Sequence, residues 1–181
     1  MDEELKKTKE RLMKPDFTES LHHELIEMPP QKANQVIDAM TDREVEAKVN
    51  NRRFQEDYIM DYLMFLWSIN KPAFWRQLKA TFRPGLEVLW GDDMLHFEVM
   101  CTNKIPKDVF NSILELAISI GDPSHQDYKA IGCVISAQVR KFNGGHLIEK
   151  FIRSRIAGNR DVSRQLTPFI DCKCEYTFDR E

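Results

Sequence analysis

The apolar positions of the chain change their period along its length. From Phe54 to Ile69 the residues Tyr58, Ile59, Tyr62, Leu63, Phe65, Leu66 and Ile69 recur at the i, i+3, i+4, i+7 spacing of an amphipathic helix. Pro72 is expected to bound it. A second helix is predicted over Val109 to Ile120, opened by Pro106 and Asp108 and stopped at Gly121-Asp-Pro123. Elsewhere the pattern is closer to period two or to none. Leu86 to Trp90, the turn Gly91-Asp-Asp93, and Leu95 to Cys101, with Leu95, Phe97, Val99 and Cys101 alternating, predict strand, turn and strand. The β-branched run Ala130 to Arg140 predicts a buried strand. Asn143-Gly144-Gly145 is a hairpin signal, with His146 to Ile152 as the returning strand. Phe169 to Phe178 alternates again and predicts a last strand.

The N-terminal third is less regular. Asp2 to Lys14 is rich in Glu, Lys and Leu and permits a helix that Pro15 ends. Leu21 to Met28, before Pro29-Pro30, fits a short strand or a helical turn. Gln31 to Asn50 fits one surface helix or irregular structure. The expected fold class is therefore α+β, with one curved, mainly antiparallel sheet, helices on its convex face and a partly helical N-terminal extension. Residues 1–20 form an N-terminal arm in this reading, and residues 21–181 a single domain.

Composition narrows the class of protein. A chain of 181 residues, 42% hydrophobic, buries roughly 70% of its unfolded surface and holds a core without metal or disulfides. Cys101, Cys133, Cys172 and Cys174 show no CxxC spacing, so reduced thiols are expected. No apolar run reaches the roughly 18 residues of a membrane span, and the N-terminus lacks the order of a signal peptide. A cytoplasmic protein that does not enter membranes is the expectation.

The net charge of −3 conceals a division. Residues 1–61 hold 10 basic and 15 acidic side chains, whereas residues 138–164 hold 7 basic and 2 acidic. The basic stretch comprises Arg140, Lys141, Lys150, Arg153, Arg155, Arg160 and Arg164, and points to an anionic ligand.

Catalytic constellations are missing from the sequence. There is no P-loop, GxGxxG, GxSxG or HExxH. Asp92, Asp93 and His96 read as an exposed turn rather than a metal site. His22-His23 lack a carboxylate at ligand spacing, and the thiols of Cys172 and Cys174 do not close a zinc site. Neither enzymatic activity, metal nor cofactor is expected. Trp90, at the end of a strand beside a turn, reads either as a plug for one end of the core or as a stacking platform for a base, in which case the basic strands take the phosphates.

The order of these motifs resembles the cap-binding translation initiation factor 4E family over residues 54–178. The likeness lies in Tyr62-Leu-Met-Phe-Leu-Trp-Ser-Ile69, in Phe82-Arg-Pro-Gly-Leu-Glu-Val-Leu-Trp-Gly-Asp-Asp93, in Ile113-Leu-Glu-Leu-Ala-Ile-Ser-Ile-Gly-Asp122 and in Ile131-Gly-Cys-Val-Ile-Ser-Ala-Gln-Val-Arg140. The resemblance implies a divergent mRNA cap-binding protein of translation initiation or its regulation. Trp90 then stacks 7-methylguanosine, Asp92 stands one position past the family's Glu, and Phe151 closes over the methyl group. Arg140, Lys141 and His146 hold the phosphates. The resemblance also implies a dorsal surface, with Leu63, Ile113 and Ala117 at its apolar positions, that accepts a helical peptide of a translation scaffold or repressor. Its alternative outcome is a 4E-like interaction module that has lost the cap pocket. A monomer or a heterodimer with that partner is expected.

Overall fold

The computed structural model describes residues 2–12, 21–40, 56–80, 82, 95–121, 128–155 and 160–172. All its secondary structure is helical. In chain order the helices are α1 Glu3–Leu12, α2 Leu21–Glu27, α3 Pro30–Ala39, α4 Glu56–Ile69, α5 Lys71–Ala80, α6 Leu95–Thr102, α7 Lys107–Ile120, α8 Tyr128–Phe142, α9 Gly145–Arg155 and α10 Arg160–Ile170. No strand occurs among the described residues, which overturns the α+β expectation and its curved sheet. The chain divides into two compact units, Met1–Thr81 and Phe82–Glu181.

In the N-terminal unit α4 packs on α5, α2 on α3 and α4, and α1 on α3. The helix predicted over Phe54 to Ile69 is present as α4, but Pro72 does not bound it. Asn70 does. Its Oδ1 accepts the Ala73 N–H, 3.0 Å away, the geometry of an N-cap that opens α5. Pro72 then falls in the first turn, where a missing N–H costs nothing. Asn70 Nδ2 also donates to Asp38 Oδ1 at 3.0 Å, and Arg76 Nη2 donates to Ile37 O at 2.9 Å. A guanidinium on the last carbonyls of α3 suits the negative end of that helix. The expected arm is helical as α1 and is tied down by Arg11–Glu24 at 2.6 Å and Lys32–Glu4 at 2.7 Å. Trp67, Phe74 and Trp75 meet edge to face, with ring centroids 5.0–5.8 Å apart.

The C-terminal unit is organised around α8. Residues 130–138 of that helix are all buried, and α6, α7 and α10 pack against it. Residues 130–138 carry no charge and include the β-branched Ile131, Val134 and Ile135, a run that does not tell a buried helix from a buried strand. That is why Ala130 to Arg140 reads as a buried strand and folds as a helix. Leu95–Cys101 reads as a strand for another reason, the alternation that His96 and Glu98 introduce, and folds as a helix with Phe97, Val99, Met100 and Cys101 buried. His146–Ile152 is α9 rather than a returning strand, and Phe169 and Ile170 end α10. The segment 86–94 and the rest of the last predicted strand lie outside the described residues. The amphipathic α7 matches its prediction: Val109, Phe110, Ile113, Leu114, Leu116 and Ala117 are buried, and Gly121 ends it with φ 59°.

One row of α8, Tyr128, Gly132 and Ser136, meets the end of α10. The Tyr128 and Phe169 rings lie 4.5 Å apart, and the Ser136 hydroxyl donates to Cys172 O at 2.9 Å. Burial, and secondarily the charge of Cys172, push the Tyr128 phenol above its usual pKa. Between them Gly132 leaves room for the chain. A Cβ there would sit 2.9 Å from Cys172 Cβ and 3.1 Å from its Sγ. Gly132→Val is therefore expected to destabilise the protein by about 1–3 kcal/mol through overpacking. A denaturant melt that shows wild-type stability for this variant would refute the close approach.

Gln138, one turn further along α8, is 3% exposed and fully partnered. Its Nε2 donates to Met100 O at 2.7 Å and to Asn103 O at 2.9 Å, while its Oε1 accepts the Ile105 N–H at 3.1 Å. One side-chain amide thus satisfies the corner between α6 and α7. Replacing it by Leu leaves three backbone groups without that partner, at about 1–3 kcal/mol for each that stays dry. Gln138→Leu is expected to lower the denaturation midpoint more than Gly132→Val, and an equal or smaller shift would contradict the role of the amide.

Candidate functional site

The site is built at the C-terminal end of α8. A helix buried over residues 130–138 has no place for charge until it leaves the core, and Arg140 and Lys141 are the first exposed residues at that point. The chain then turns at Asn143 and Gly144. Asn143 has φ 55°, a left-handed conformation that Asn tolerates. The Gly144 N–H donates to Gln138 O at 2.9 Å, and a Cβ on Gly144 would lie 2.9 Å from that same oxygen. Only glycine permits the approach. The turn starts α9 at Gly145, and His146 Nδ1 bonds Asn143 O at 2.6 Å. A carbonyl accepts only, so Nδ1 carries the proton.

The turn therefore gathers Arg140, Lys141 and His146, all exposed, at one end of the C-terminal unit. They sit there on two helices, not on the two strands expected of them. Lys141 has a second task. Its Nζ lies 3.4 Å from Cys101 O, beside the C-terminal end of α6, where a cation offsets the unpaired carbonyls.

The basic surface continues along α9. His146, Lys150 and Arg153 are spaced i, i+4, i+7 and exposed, so they share the outer face of the helix over about 10 Å. Ile148 and Phe151 occupy the opposite, buried face. Between residues 140 and 155 five basic side chains stand against one acidic, Glu149. Glu149 pairs with Arg153 at 3.9 Å with both side chains more than 70% exposed, a contact worth little in water. Arg155 is engaged otherwise. It pairs with Glu115 of α7 and lies 5.5 Å over the Phe151 ring, fastening α9 to α7.

Lys150 and Arg153 belong to the basic stretch of the sequence but not to the predicted phosphate set. The signal that finds them is helical: positions 146, 150 and 153 align at 3.6 residues per turn and scatter between two faces at period two.

The remaining predicted residues are placed differently. Phe151 is 6% exposed and belongs to the core, so it presents no ring to a ligand. Leu63, 2% exposed, and Ile113 and Ala117, fully buried, likewise offer no apolar surface to a helical peptide. They sit in the cores of the two units because the amphipathic faces of α4 and α7 turn inward. Trp90 and Asp92 lie outside the described residues.

Among the described residues no group of three or more His, Cys, Asp or Glu side chains could hold a metal ion. Cys101 and Cys133 are buried and unbridged, and Cys172 is half-buried. An open cleft of about 320 Å³ in the N-terminal unit is lined by Asp2, Glu4, Pro29, Lys32 and Gln35, and the Glu4–Lys32 pair takes up two of its charges. No helix of the described residues is long and apolar enough to cross a membrane. No family model, curated protein or solved structure matches the chain.

Proposed function

We propose that the chain is a non-enzymatic, cytoplasmic RNA-binding protein that holds the phosphate backbone with Arg140, Lys141 and His146. The observation that carries this reading is the turn at Asn143–Gly144, which brings those three exposed side chains together with the start of the outer face of α9. Arg and Lys beside one another bind phosphate by complementary means, the first as a planar fork and the second as a point charge. Within residues 140–155 the one acidic side chain is the exposed Glu149, so the charge of that stretch is positive. Base stacking on Trp90 forms no part of the reading, which rests on the phosphate-holding side chains alone.

The test is fluorescence anisotropy with a labelled single-stranded RNA across a salt series. Binding is expected to weaken linearly in log–log form, with a slope of about −0.7 per phosphate neutralised. The double variant Arg140→Gln, Lys141→Gln is expected to bind roughly tenfold more weakly or worse, with a slope shallower by about 1.4. No binding by the wild-type protein at low salt, or an unchanged slope in the variant, would defeat the reading.

A further inference from the structure

Building on the RNA-binding reading above, we propose that Ser154 is a phosphorylation site whose modification releases the RNA. Ser154 is exposed in the last turn of α9 and continues the row His146, Lys150, Ser154 at i, i+4, i+8. It therefore lies on the outer face that carries the positive charge. Arg153 precedes it, Arg155 follows it, and Lys150 stands four positions upstream. Basic side chains around an accessible serine are the pattern that a kinase with an acidic substrate cleft selects.

The Ser154 hydroxyl now donates only within its own helix, to Phe151 O at 2.8 Å, a bond that modification removes without opening the core. In the transfer, Oγ attacks the γ-phosphorus of ATP and forms the new O–P bond. The bond from that phosphorus to the β,γ-bridging oxygen breaks, ADP leaves with the electron pair, and the hydroxyl proton passes to the base of the kinase. Phosphoserine brings about −1.5 to −2 charges at neutral pH. The segment 140–155 carries a formal net charge of +4 with Arg155 included, and Arg155 is already paired with Glu115, so one phosphate cancels about half or more of what remains. The group also sits one helical turn from Lys150, which it pairs in competition with RNA.

The experiment treats the full chain with ATP and the catalytic subunit of cAMP-dependent protein kinase, maps the phosphate by mass spectrometry, and repeats the anisotropy titration on the same RNA at low salt. The expected result is phosphate on Ser154, RNA binding roughly tenfold weaker and a shallower salt slope. Ser154→Ala is expected to block that modification and bind RNA as the wild type does, while Ser154→Asp weakens binding severalfold. Phosphate absent from Ser154, or placed only at Ser163 behind Arg160, overturns the site. Phosphorylated protein that binds RNA as tightly as the unmodified protein overturns the switch and leaves the RNA-binding reading standing. Absence of RNA binding by the unmodified protein overturns both.

Discussion

A single side-chain amide decides how the C-terminal unit is put together. Gln138 lies in the buried part of α8, where an unpartnered polar group is costly, and it meets two carbonyls and one N–H from the corner between α6 and α7. Those three backbone groups are left over where α6 ends and the chain turns toward α7, so they need a partner from outside their own helices. Because the amide is held on a helix packed on all sides, the corner is fixed relative to α8. Everything downstream follows from the same helix. The Gly144 N–H returns to the backbone oxygen of Gln138 itself, and the turn it closes sets where α9 begins.

The position of the basic surface is a consequence of that arrangement. Nine consecutive residues of α8 are buried and none of them is charged. Charge on α8 is confined to its two ends, Lys129 in the first turn and Arg140 and Lys141 where the helix leaves the core. α9 then buries Ile148 and Phe151 and turns His146, Lys150 and Arg153 outward. Arg155 serves the fold instead, pairing with Glu115 and covering Phe151, so not every cation of the stretch is available to a ligand. The Lys141 ammonium group faces the C-terminal end of α6.

The helices α4 and α7 were legible in the sequence because their apolar residues recur at helical spacing, and in α7 that set is the buried one, Val109, Phe110, Ile113, Leu114, Leu116 and Ala117. The glycine stop of α7 was legible for the same local reason. Leu95–Cys101 was not, since His96 and Glu98 give it a period-two alternation, nor was Ala130–Arg140, since an uncharged run with Ile131, Val134 and Ile135 favours the strand reading. That error carried Arg140, Lys141 and His146 onto a sheet. The resemblance to the 4E family placed Phe151 at a ligand and Leu63, Ile113 and Ala117 on a surface, whereas all four are buried. Arg140, Lys141 and His146 flank a turn that the Asn-Gly-Gly signal marks under either secondary structure.

The sequence by itself determined where charge accumulates, where the chain turns at Asn143–Gly144, and which faces of α4 and α7 avoid water. These are local properties, carried by composition, by glycine and asparagine, and by the spacing of apolar residues within one element. Tertiary structure alone decided that α8 is a helix, that Gly132 admits the end of α10, that Gln138 completes the corner of α6 and α7, and that His146, Lys150 and Arg153 share one face. Each of these depends on what surrounds a residue on the far side of the core, and a neighbour distant along the chain leaves no mark in the local pattern.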